Sequence, residues 1–171
     1  MSNLHDLSRT SLLSFELGDD CNMKQLHPKC PINHRKYQKC SQRLTVQTIV
    51  SSIRQALQLK FTGYVAFHYY NEPLLYRDEI IDVMDAVPEG RYMLWTNGLL
   101  LDPCVENNTI LRRFDYICIT CYDSSLRPFF EQIREFHGHV DIFDWEFDYR
   151  LKIYTNNPGN KIGCKRPLFE L

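Results

Sequence analysis

Cysteines stand at positions 21, 30 and 40 within the stretch CNMKQLHPKCPINHRKYQKC, with His27 and His34 between them. Thiolates and imidazoles are the side chains that hold transition metals, so the chemistry this cluster points to is metal binding. The chain has 7 cysteines, an odd number for a disulfide framework. In a reducing compartment such clusters read as metal ligands or buried thiols. Cys21, Cys30 and Cys40 with either histidine would make a tetrahedral zinc site of ordinary type. Cys118 and Cys121 form a CxxC, but within YICITCY, a run that reads as a strand, where positions three apart point to opposite faces. Cys104 and Cys164 are isolated. The basic run Lys24, Lys29, His34, Arg35, Lys36 and Lys39 reads as a solvated loop face.

A second set of polar residues follows later apolar runs: YYNEPLL (69–75), TNG (96–98) and CYDSS (121–125). Taken alone, Glu72-Pro73 and Asn97-Gly98 are ordinary turn signals, and His68 reads as a structural histidine. Their significance depends on what positions them. The chain alternates strand-like and helix-like segments. SLLSFELG (11–18), GYVAFHYY (63–70), RYMLWTNG (91–98), FDYICITCYD (114–123) and VDIFDWEF (140–147) read as strands, with LKIYTNN (151–157) as a short sixth or an excursion. Between them lie an amphipathic helix over 44–60 and a second over 77–88, stopped by Pro88. A third opens at Asp102-Pro103 and runs to about Arg113. The last spans 126–138, with Ser124 and Ser125 available as caps.

This order predicts an α/β fold with parallel pairing, in which polar residues at four successive strand ends converge on one rim. An eight-unit barrel needs about 250 residues, so this length holds roughly five and a half units. The expectation is a partial (β/α) barrel of about five to six parallel strands, open or truncated, forming one domain over 1–171. At strand five, alternation sends Asp144, Glu146 and Asp148 to one face and Phe143, Trp145 and Phe147 to the other, with the acidic face favoured as an outward edge.

Composition sets the outer limits. With 44% hydrophobic residues and a net charge of -1, the chain can bury one core and shows no general nucleic-acid-binding charge. No window approaches about 18 consecutive apolar residues, and the N-terminus lacks a signal-peptide pattern. A soluble, cytoplasmic protein without membrane partners is expected. KIGCKRPLFEL ends on what reads as the start of another strand, which raises the expectation of truncation at the C-terminus or of docking onto something else.

The Cys-Asn after strand one, NEPLL after strand two, TNG followed by Leu-Leu after strand three, and a fourth strand ending at Thr120 together resemble the radical S-adenosylmethionine (radical SAM) superfamily. The likeness runs from about residue 12 to residue 123, and the ending GCKRPLFEL resembles the segment leading into the C-terminal extension of peptide-modifying members. The resemblance implies a 4Fe-4S cluster held by Cys21, Cys30 and Cys40, with S-adenosylmethionine (SAM) bound beside it. Cleavage of SAM to a 5'-deoxyadenosyl radical would serve hydrogen abstraction from an unknown substrate, a peptide or small metabolite, with a reducing electron donor as partner. By the same resemblance the cofactor-binding residues are Asn71, Glu72, Pro73, Thr96, Asn97 and Thr120, with Glu72 accepting a hydrogen bond from the SAM ammonium. Cys164 would be the first of further cluster ligands.

Two departures from the family pattern stand out. The cysteines read C-x8-C-x9-C rather than C-x3-C-x2-C, and Asn71 stands where the family has a second glycine. Longer loops can still close on one cluster, since each doubling of loop length costs only about 0.6 kcal/mol. The alternative is a noncatalytic or zinc-binding module of the same fold, acting in partner binding.

Overall fold

The computed structural model describes residues 6–18, 20–23, 43–68 and 70–144. Among these residues five strands form one sheet: β1 (Leu12–Ser14), β2 (Tyr64–Ala66), β3 (Tyr92–Thr96), β4 (Tyr116–Cys121) and β5 (Val140–Asp144). Their spatial order is the order in the chain, and every pairing is parallel. Right-handed crossovers between successive neighbours, the rule for parallel strands, put the described helices on one face, so the sheet is wound in a single direction as an open partial (β/α) barrel. This is the expected fold class. The sixth strand expected over 151–157 and the strand-five residues Trp145, Glu146, Phe147 and Asp148 lie outside the described residues.

Helix α1 (Val46–Gln58) starts at Thr45, whose hydroxyl accepts the Thr48 N–H at 3.1 Å, and buries Ile49, Val50, Ile53 and Ala56 along one stripe. It ends without a glycine. Lys60 takes a positive φ of 66°, and the Phe61 N–H to Ala56 carbonyl and Lys60 N–H to Leu57 carbonyl bonds close a Schellman cap over the buried Phe61 ring. Helix α2 (Arg77–Ala86) turns Ile80, Val83 and Met84 inward, with Asp78 and Glu79 in its first turn, where the helix dipole favours anions. Helix α3 (Arg127–His137) carries Pro128 in its first turn and buries Phe130 and Ile133.

These stripes meet Val65, Phe67, Tyr92, Leu94, Ile117, Ile119, Cys121 and Val140 in one core. Each fully buried Ile or Phe contributes about 1.5–3 kcal/mol through its removal from water. The alternate strand positions, among them Ala66, His68, Met93, Trp95, Cys118, Thr120 and Phe143, belong to the sheet's other face. Cys118 and Cys121 are both buried but divided between the two faces, as the strand period requires. Asp144 pairs with Arg127 of α3 at 2.8 Å and is exposed, which places it on the outer, helix-bearing side, while Phe143 stacks on Trp95.

Two local expectations fail. Residues 102–113 form no α-helix but two short 3-10 turns, Val105–Asn107 and Thr109–Arg113. Asp102 is not the expected helix cap: its carboxylate accepts the Cys104 N–H at 2.8 Å in a local turn, and the first 3-10 turn begins after Cys104 with no side-chain cap. The buried Asn108 then takes over the backbone. Its Nδ2 donates to the carbonyls of Asp102, Cys104 and Val105, and its Oδ1 accepts the Asp102 N–H. A side chain that satisfies these main-chain groups removes the incentive to form a helix. At α3, Ser124 and Ser125 are not the caps. They lie within a 3-10 turn (Ser124–Leu126) capped by Asp123, which accepts the Ser125 N–H at 2.9 Å.

Candidate functional site at the strand C-termini

Glu72 is the centre of the rim. It follows β2, is only 2% exposed, and caps the 3-10 turn Pro73–Tyr76 by accepting the Leu74 N–H at 3.2 Å. The same Oε1 accepts the Thr96 hydroxyl at 2.6 Å, and Oε2 accepts the Asn97 N–H at 3.0 Å. Burial pushes the Glu72 carboxyl above its ordinary range, and the bonds from Asn97, Thr96 and Leu74 pull it back in part. The carboxylate thus braces the exit of β2 against the end of β3. Pro73, at the first position of the turn, has no N–H to satisfy and sets the backbone there.

The end of β3 is shaped by a tight turn. Thr96 Oγ1 accepts the Gly98 N–H at 3.0 Å while donating to Glu72, and Asn97 Oδ1 accepts the Leu99 N–H at 3.0 Å. Gly98 takes φ +74°, and a Cβ there would lie 2.6 Å from the Phe130 ring. Only glycine fits both the conformation and the space.

The segment after β1 joins the same rim. The Asp20 carbonyl accepts the Glu72 N–H at 3.0 Å, and Asn22 Oδ1 accepts from Asn97 Nδ2 at 2.7 Å. Cys21, between them, is half-buried, and its Sγ accepts the Met23 N–H at 3.4 Å. Glu16 receives the Tyr70 N–H on both oxygens, at 3.0 and 3.1 Å, and the Ser14 hydroxyl donates to the His68 carbonyl. Residues from three strand ends, far apart in sequence, are therefore fastened to one another.

Asn71 is the unsatisfied member. It is 9% exposed, and among the described residues neither its Nδ2 nor its Oδ1 has a hydrogen-bond partner. A buried polar atom left unpaired costs about 1–3 kcal/mol, so this amide presents a donor and an acceptor in want of a partner. That amide offers one donor and one acceptor to a polar ligand at the rim.

Thr120 lies at the same end of β4, 6% exposed, on the face away from the helices, and its oxygen accepts the Trp95 indole N–H at 2.9 Å. Trp95 in turn lies against His68, with ring centroids 5.4 Å apart.

Of the expected site residues, Cys21, Asn71, Glu72, Pro73, Thr96 and Asn97 come together, with Thr120 reached from the same end of the sheet. Cys30, Cys40, His27, His34, Tyr69 and Cys164 lie outside the described residues. Among the described residues no three His, Cys, Asp or Glu side chains form a metal-binding group. Cys118 is 1% exposed, with its thiol pushed up to about 12 by burial, and Cys104 is an exposed thiol donating to Glu106 at 3.0 Å. Neither has the environment of a reactive thiolate. Trp95 was not singled out in the sequence, and Asn22 entered only as the second residue of the Cys-Asn pair, with no role of its own. The only signal for Asn22 was its place beside Cys21, and for Trp95 its place beside Thr96.

No described helix is long and apolar enough to cross a membrane. No protein-family model matches the sequence, and no curated protein matches it. Among solved structures, the chain is similar to BtrN in complex with AdoMet and 2-DOIA, with a TM-score of 0.59 and 21% identity over 86% of this chain and 63% of that one. It is also similar to selenomethionine BtrN in an open conformation, with a TM-score of 0.53 and 20% identity over 78% of this chain and 56% of that one. At such identities the likeness is one of fold, and this chain spans less than two thirds of the length of the chains it resembles.

Proposed function

We propose that this chain is a radical SAM domain, with SAM bound at the C-terminal rim of β1 to β4 and a 4Fe-4S cluster held by Cys21, Cys30 and Cys40. The observation that carries the reading is the unpaired, buried amide of Asn71 beside a rim where Asp20 and Asn22, the neighbours of Cys21, are bonded to Glu72 and Asn97. The shared fold of BtrN, solved with AdoMet, supports the choice of ligand. Asn71 would bind the carboxylate and ammonium of the methionine moiety through its two amide atoms. Glu72 has one acceptor position left on Oε2, beyond the Asn97 N–H, and would place its charge opposite the ammonium. Thr120, whose hydroxyl proton is not used by Trp95, would donate to the ribose or methionine part. When bound, the cluster and SAM together supply reductive cleavage of the sulfonium and a carbon-centred radical for hydrogen abstraction. The substrate, a peptide or small metabolite, would enter along the face carrying Trp95 and Thr120, and an electron donor would be needed.

Anaerobic reconstitution with iron and sulfide tests this directly. The expected protein is brown, loses its visible absorption in the Cys21→Ala variant but not in Cys118→Ala, and after reduction forms 5'-deoxyadenosine from SAM. A colourless protein that binds zinc instead would replace the catalytic reading with that of a structural metal module.

A further inference from the structure

We infer that Cys21 is held in place by the fold itself, through a closed ring of hydrogen bonds in which Asn22 and Asn97 are positioning residues for its thiol. The inference rests on the proposed role of Cys21 as a cluster ligand, but the ring is a property of the protein without metal. Its path can be followed atom by atom. The Glu72 N–H donates to the Asp20 carbonyl at 3.0 Å, and the Glu72 carboxylate accepts the Asn97 N–H at 3.0 Å. Asn97 Nδ2 donates to Asn22 Oδ1 at 2.7 Å, and the main chain returns from Asn22 through Cys21 to Asp20.

Cys21 is thus the one residue between two fastened neighbours. Asp20 is tied to the exit of β2, and its N–H also donates to the Tyr76 hydroxyl at 3.3 Å. Asn22 is tied to the end of β3. On the far side Met23 is 2% exposed, so its buried side chain anchors the segment that leaves the rim, while its N–H meets Cys21 Sγ. A residue fixed at both ends has few backbone states left to lose, so a ligand borne on it binds with less loss of entropy than one on an unrestrained loop. The backbone that bears the Cys21 thiol is then set before any metal arrives. Asn22 is exposed, and among the described residues its side chain makes this one hydrogen bond.

Hydrogen exchange on the metal-free full chain, read by mass spectrometry over peptides covering residues 20–23, tests the ring. Asn22→Ala is expected to lower protection there by about threefold to tenfold, the loss of one hydrogen bond, without changing β4. Asn97→Ala should repeat the effect, and Asn22→Asp, which keeps an acceptor for Asn97 Nδ2, should stay within about twofold of wild type. Equal protection in wild type and Asn22→Ala overturns the inference, as does a loss of protection in Asn22→Asp as large as in Asn22→Ala. Reconstitution with iron and sulfide then separates the ring from the cluster: a wild type that takes up iron while Asn22→Ala takes up less supports the positioning role. A wild type that takes up no iron removes the cluster, and with it the positioning role for a ligand, whatever exchange has shown of the ring.

Discussion

Glu72→Gln probes the rim most directly, because the substitution keeps the shape of the side chain and changes only its hydrogen-bonding pattern. The carboxylate serves three protein donors: the Thr96 hydroxyl and Leu74 N–H on Oε1, and the Asn97 N–H on Oε2. Glutamine has one acceptor oxygen. If that oxygen faces Thr96 and Leu74, the amide NH2 meets the Asn97 N–H, donor against donor. If the amide is flipped, the Thr96 hydroxyl can turn and accept, but the Leu74 N–H loses its partner. In either rotamer a main-chain N–H is left unpaired, that of buried Asn97 or of half-buried Leu74, at a cost of about 1–3 kcal/mol. Removing the charge from a buried site acts in the opposite direction, since burial already raises the carboxyl. The bonds given up are charge-assisted, however, and about twice as strong as neutral ones, so the loss dominates. For a chain of this length 1 kcal/mol moves the Tm by about 2–4 °C, so metal-free Glu72→Gln should melt about 2–12 °C below wild type. Circular dichroism melts, with urea unfolding to check that the m-value is unchanged, measure this. A Tm within about 1 °C of wild type would refute the bracing role of the carboxylate.

The raised Glu72 carboxyl also sets a pH dependence. Between the ordinary glutamate value of 4.5 and its raised value the folded state keeps a proton that the unfolded chain has released. This contribution is therefore fully present below that window and lost as pH rises through it. Urea midpoints between about pH 4 and 7 should show a downward component that Glu72→Gln removes, and an identical profile in the variant would contradict the assignment. Gly98→Ala forces an L-residue to φ +74° with its Cβ 2.6 Å from Phe130. Backbone strain and overpacking together should cost about 2–5 kcal/mol, and a measured loss below about 1 kcal/mol would mean that the turn after β3 is built differently. Asn71→Ala removes an amide that has no protein partner, so metal-free stability should change by less than about 1 kcal/mol while SAM binding in reconstituted protein weakens at least about fivefold. A large stability loss with unchanged SAM affinity would assign Asn71 to the fold instead.

The alternation of strand and helix was legible because periodicity is local. Ile49, Val50, Ile53 and Ala56 mark the buried stripe of α1, and YICITCY marks β4, whatever else the chain does. From that alternation follow parallel pairing, one-sided helices and a rim of polar strand ends. The segment 102–113 was misread because its outcome turned on one side chain: Asn108 competes for the main chain only when it is buried, and burial is not local information. The site followed the same division. Residue types at the strand ends were visible in Cys21, Glu72, Thr96 and Asn97, but not their partners. That Glu72 meets Thr96 and Asn97, 24 and 25 residues away, and that Asn97 reaches back 75 residues to Asn22, depends on strand register and on how each chain segment leaves the sheet. Those are set by packing of the whole core, so only the tertiary structure could decide which polar groups are satisfied and that the Asn71 amide is not.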